Sequence, residues 1–142
     1  MPLAPAAQSS LTKWLAMIAG NDFGDLPSIV ATDAVFRSPV GLEPYSGREL
    51  VCLMVRTAAG IFEDFRYHRK LIDGENAALE FSAHIGGVEL KAVHLIRFNA
   101  AGEIADIEKI VRPSAAGIAL GNAMGSLIGP QIKELRAAGS PG

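Results

Sequence analysis

His94 lies in an alternating segment, Val88–Phe98, and shares one face with Ala92, Ile96 and Phe98, while Val93, Leu95 and Arg97 take the other. Desolvation favours the neutral form of a lone imidazole on an apolar face, and a neutral imidazole can act as a base near neutral pH. The structural alternative is a core histidine hydrogen-bonded to Ser38 or to a backbone carbonyl. His84 alternates with Glu80 and Ser82, opposite Leu79, Phe81 and Ala83, which predicts the outer face and a subunit interface. His68 falls in the basic run Arg66-Tyr67-His68-Arg69-Lys70, read as a solvated edge. The three histidines are therefore not expected to converge. No carboxylate–histidine spacing suggests a metal, and no cofactor is expected. Cys52, in the apolar helical run Leu50–Val55, reads as a buried, inert thiol. Arg56 and Arg112 read as structural ion-pairing residues, Arg56 late in a helix and Arg112 at the end of the last strand. Asp106 and Glu108 share one face of that strand, and Lys109 takes the other.

The elements that must hold these groups follow from periodicity. Residues 1–8 are rich in Pro and Ala and read as a loose segment. Leu11, Trp14, Leu15 and Ile18 then make a helical stripe, with Ser9 or Ser10 as its cap and Gly20-Asn21 as its end. Asp25-Leu26-Pro27 predicts a second helix start. Residues 33–38 read as a short strand stopped by Pro39, and Ser46 with Glu49 has capping-box spacing for a third helix ending near Gly60. Four alternating segments follow, separated by Asp73-Gly74, Gly86-Gly87 and Ala101-Gly102. They predict an antiparallel meander with a tight Gly-Gly hairpin. Helices gathered at one end of the chain and strands at the other define the α+β class. Residues 9–113 make the domain, 114–137 a C-terminal helix and 138–142 a loose tail.

That C-terminal segment is unusual. No charge occurs between Pro113 and Ile132, and Gly117, Gly121, Gly125 and Gly129 recur at every fourth position. Sixteen residues separate Pro113 from Pro130, short of the about 20 that span a bilayer. The helix is expected to close the mouth of the domain or cross to a second subunit. Across all 142 residues the apolar fraction is 49%, and 13 basic against 15 acidic residues leave a net charge of −2. This composition excludes disorder and offers no electrostatic footprint for nucleic acid. One cysteine excludes an intramolecular disulfide. The start of the chain, MPLAPAAQSS, reads as no signal peptide, so a cytoplasmic, non-membrane protein is expected.

The segment 31–47, ATDAVFRSPVGLEPYSG, resembles the loop ahead of a helix in the ketosteroid isomerases. His94-Leu-Ile-Arg-Phe98 with Ala101-Gly102 resembles their final hairpin. The likeness runs over residues 10 to 112, and Val111-Arg112-Pro113 with the following helix is more similar to the SnoaL-like branch of the same NTF2-like superfamily. The resemblance implies a cone: three N-terminal helices on a strongly curved antiparallel sheet around an apolar pocket, with an extra C-terminal helix. It also implies a homodimer through the outer sheet face. Those isomerases use a carboxylate base and an oxyanion hole of a tyrosine and a protonated aspartate. By the resemblance these positions fall on Ser38, Trp14 and His94, and the supporting tyrosines on Val30 and Val55. The steroid-isomerase mechanism is therefore not expected. An epoxide-hydrolase arrangement fails too, because the third meander strand has no aspartate and Arg97 points outward.

Trp14, Ser38 and His94 are the candidate catalytic residues, with Ser38 expected across the pocket from His94. Phe36, Val55, Phe81, Ile96 and Phe98 are the expected pocket lining. Two functions follow as expectations. One is an isomerase- or cyclase-like proton transfer on a small hydrophobic molecule, using His94. The other is a non-catalytic ligand-binding or accessory domain.

Overall fold

The computed structural model describes residues 1–139. Of the tail expected over 138–142, residues 140–142 lie outside them. Helix α1 spans Pro5–Gly20, so it begins four residues before the serines expected to cap it. Pro5 occupies its first turn, where a missing N–H costs nothing. The start is held by tertiary contact. Leu3 and Ala7 are buried, and the Ser10 hydroxyl donates to the Gly102 carbonyl in the turn between the last two strands. Within the segment expected to be loose, residues 5–8 are helical and Leu3 and Ala7 are anchored in the core. Asn21 ends α1 in the left-handed conformation at φ 50°, as its sequence position suggests.

The second expected helix is only a 3₁₀ turn, Leu26–Ile29. The β-branched run beginning at Ile29 and Val30 favours extended backbone, and strand β1 starts there, spanning Val30–Arg37. A two-residue strand β2, Tyr45–Ser46, pairs with it. Ser46 is thereby committed to a strand, and Gly47 (φ 105°) becomes the N-cap of helix α2, Arg48–Ile61, without a side-chain capping bond. Strands β3 (Glu63–Asp73), β4 (Asn76–Ile85), β5 (Val88–Phe98) and β6 (Ile104–Arg112) form the meander. The β4–β5 hairpin closes through Gly86 and Gly87, both at positive φ, in a two-residue turn.

The sheet differs from the expected one in its edge. Its order is β2-β1-β6-β5-β4-β3, and β1 lies parallel to β6. The sheet is therefore mixed, with six strands, and curves over the helices. Its inner face follows period two: Leu79, Phe81 and Ala83 on β4, and Leu90, Ala92, His94, Ile96 and Phe98 on β5, are all buried. Helix α3, Ser114–Gly139, has Pro130 inside it and packs on α2 and β6. Its glycine stripe is half used. Val40, from the loop after β1, fills the space beside Gly117 and Gly121, and a Cβ on Gly121 would stand 2.9 Å from a Val40 methyl. Gly125 and Gly129 have nothing against them. Among the described residues no helix is long and apolar enough to cross a membrane.

Candidate active site

Between α1, the C-terminal half of α2 and the inner face of the sheet lies a cavity of about 250 Å³. Trp14 and Ile18 enter it from α1, Phe36 from β1, Val55 and Ala58 from α2, Phe65 from β3, His94 from β5, and Ile107 and Lys109 from β6. A smaller cavity of about 100 Å³ adjoins it, walled by Leu120, Gly121 and Met124 of α3 together with Ser38 and Tyr45. Phe36, Ala58 and Lys109 line both spaces. Neither cavity has an acidic residue in its lining.

His94 is 4% exposed, and its ring is surrounded by aromatic side chains. Trp14 meets it edge-on at 5.6 Å between centroids, and Phe81 packs at 4.6 Å. Its polar partner is one the sequence reading missed. The Trp14 indole N–H donates to the Tyr67 hydroxyl at 2.9 Å, and that hydroxyl lies 2.9 Å from His94 Nδ1. An indole can only donate, so the hydroxyl accepts from Trp14 and its own proton is free for His94. Nδ1 is then the acceptor, and the neutral ring carries its proton on Nε2. The other tautomer would leave the tyrosine O–H buried without a partner, a cost of about 1–3 kcal/mol. Burial, and secondarily the charge of Lys109, hold the imidazole well below its ordinary pKa, so it is neutral at pH 7. Burial likewise pushes the Tyr67 phenol upward.

Lys109 is the second polar group of the cavity. It is 3% exposed, and among the described residues its Nζ has no ion pair or hydrogen bond. The Phe62 ring lies 4.9 Å from Nζ and the Phe36 ring 5.5 Å. Burial lowers its pKa to about 7. Lys109 and His94 are direct cross-strand partners in the β5–β6 register, which sets their Cβ atoms about 5 Å apart on one face.

Of the three candidate catalytic residues, the fold brings together Trp14 and His94. Ser38 is not placed at His94. It lines the smaller cavity, and its Oγ accepts from the Val40 and Gly41 amides, the local turn chemistry of a serine after a strand. Of the expected lining, Phe36 and Val55 face the cavity, while Phe81, Ile96 and Phe98 are core residues behind it. The hydroxyl beside His94 comes from Tyr67 on β3, not from Val30 or Val55, where the resemblance places the isomerases' supporting tyrosines. Its signal was parity, since Phe65 and Tyr67 alternate with charged residues on β3 and both turn partly inward. Lys109 was visible in the same way, as the inward successor of Ile107.

The remaining candidates lie elsewhere. His68 bonds to the Ser82 hydroxyl on the outer face, and His84 stands 3.6 Å from Asp64. Cys52 is buried, and desolvation raises its thiol pKa. Arg56 donates to the Phe23 carbonyl instead of pairing with an acid. Arg112 has no ion pair among the described residues, and Asp106 is held by Arg37 at 3.0 Å.

A helix-lined cavity under a curved mixed sheet defines the cone of the NTF2-like superfamily. The chain matches the family model of the SnoaL-like domain over residues 11–107 and belongs to that family. It is similar to a steroid delta-isomerase from Pseudomonas aeruginosa, at 41% identity and a TM-score of 0.88, covering 94% of this chain and 98% of that one. A protein with a cystatin-like fold from Silicibacter pomeroyi matches at 28% identity and a TM-score of 0.82, over 89% and 90% of the two chains. An NTF2-like protein of unknown function from Mesorhizobium loti, at 16% identity and a TM-score of 0.68, shares the fold over 80% of this chain and all of its own. Among curated proteins, none matches this chain.

Proposed function

We propose that the protein is an isomerase-type enzyme acting on a small, mostly apolar molecule that carries a carbonyl group. The observation that supports this reading is the hydrogen-bonded series Trp14–Tyr67–His94. It fixes a neutral imidazole whose Nε2–H is left for a ligand oxygen. A neutral imidazole donor in a desolvated site polarises a carbonyl and stabilises the enolate-like charge that grows when the neighbouring carbon loses a proton, and the amine of Lys109, which lines the same cavity and whose pKa burial lowers to about 7, accepts that proton. The donor is already oriented, so no reorganisation opposes the reaction. On this reading His94 is the donor to the carbonyl oxygen and Lys109 the base. Trp14 and Tyr67 position His94, and Phe36, Val55 and Phe65 exclude water. The Pseudomonas aeruginosa relative, a steroid delta-isomerase, is consistent with an apolar carbonyl substrate. A carboxylate base at the position of Ser38 is not available to this chain, and that hydroxyl serves its own loop.

The test is a thermal-shift panel of apolar ketones, including steroid, terpenoid and aromatic polyketide enones, followed by α-proton exchange of any hit in D₂O. A ligand at about 100 times its Kd should add about 2.7 kcal/mol of stability. His94→Ala, checked for folding by circular dichroism, should cut exchange about 10²-fold or more. Equal exchange in that variant would overturn the catalytic role.

A non-catalytic ligand-binding domain is the second reading. Ser38 and Trp14, which stand where the isomerases have catalytic groups, both spend their hydrogen bonds inside the protein. Binding without exchange would establish it. In either case a homodimer through the outer sheet face is proposed, supported by the exposed Leu95 and Ile110 there.

A further inference from the structure

The reading above uses Lys109 only to accept a proton, and its setting suits a further role. A lysine this deeply enclosed ordinarily has a carboxylate partner. This one has none among the described residues, and its amine ends between two phenyl rings at the junction of two cavities. Desolvation without a counter-charge favours the neutral amine, which is the nucleophilic form. The titratable groups around it add no acid. His94 faces it from β5 and Tyr45 lines the smaller cavity from β2, while α2, α3 and β1 present no ionisable side chain to either space.

We propose that Lys109 captures the carbonyl of an aldehyde or ketone ligand as an imine, with His94 as the hydrogen-bond donor to the departing oxygen. The Nζ lone pair attacks the carbonyl carbon, a C–N bond forms, and the π electrons move to oxygen while Nε2–H of His94 stabilises the charge. Both amine protons leave on that oxygen as water, and the C=N bond takes the place of C=O. No oxidant or reductant is consumed. His94 and Lys109 are cross-strand partners that line the same cavity, so donor and nucleophile stand side by side, as attack on a carbonyl carbon with its oxygen held requires. The apolar lining removes the water that would otherwise hydrolyse the adduct. The inference rests on the carbonyl class proposed above and extends it to a covalent intermediate.

Cinnamaldehyde with sodium cyanoborohydride at pH 7 is the probe, read by intact mass and peptide mapping. The expected result is one equivalent of reduced adduct on Lys109, several-fold ahead of the exposed Lys13, Lys70, Lys91 and Lys133, which serve as internal controls. Lys109→Met should remove that single adduct and leave slow surface labelling unchanged. An unlabelled Lys109 in the wild-type map would overturn the proposal, and this holds even if the variant misfolds. Labelling at Lys109 with no His94-dependent proton exchange would instead sink the isomerase reading and leave the amine's role standing.

Discussion

At the scale of single residues the site is a matter of which nitrogen carries a proton. Trp14 can only donate, Tyr67 can do both, and that order of donors sets the tautomer of His94 two bonds away. Tyr67→Phe removes the middle member and strands a buried indole N–H and a buried Nδ1 together. We expect a loss of about 1–3 kcal/mol in urea unfolding. The ¹⁵N shifts of the imidazole should also show a mixture of tautomers where the wild type shows one. A single, unchanged tautomer in that variant would mean that the ring packing alone orients His94. The sequence made His94 legible through strand parity, yet its hydroxyl partner was not. The resemblance nominated Ser38, expected across the pocket, whereas the hydroxyl arrives from β3, two strands away from β5 in the sheet. Pairings across a sheet depend on register and curvature, and neither is written in local spacing.

At the scale of elements, the meander was legible because alternation and glycine turns agree, and Ile85 and Val88 pair as the Gly-Gly turn requires. The first helix was misplaced at its start for a physical reason. Its opening turn is held by a distant hairpin and not by a local cap. Gly102, at φ 80°, lets the β5–β6 turn approach α1 so closely that a Cβ there would stand 2.5 Å from the Ala6 carbonyl carbon. Gly102→Ala must therefore both strain the turn and push the helix off, at about 2–4 kcal/mol. Hydrogen exchange should locate the loss in residues 5–10, with the α2 amides little changed. Ser46 was similarly misassigned because its partner, Val35, lies across a loop. The 3₁₀ turn at Leu26–Ile29 shows β-branched residues prevailing over an otherwise good helix start.

At the scale of the whole molecule, the two enclosed bases make stability depend on pH. Both are held below their ordinary pKa values, so between the folded and unfolded values the unfolded chain binds more protons, and stability rises with pH. For Lys109 the window runs from about 7 to 10.5; its contribution is complete above 10.5 and is lost as pH falls to 7. For His94 the loss lies below 6.5. Lys109→Met should accordingly be more stable than wild type at pH 7, on the order of a few kcal/mol. The margin should close toward pH 10.5 in thermal melts across that range, and a margin independent of pH would show that packing, not ionisation, is responsible. The sheet order carries one more consequence. Strand β1 is made before β3, β4 and β5, yet its neighbour β6 follows all of them, and β6 also supplies Lys109 and Ile107 to the cavity. Until residue 112 has emerged, the nascent chain holds a finished β3–β5 meander beside an unpaired β1 edge. The cavity then closes in a single late event of large sequence separation, which makes nascent chains stalled before β6 the species most exposed to intermolecular strand pairing.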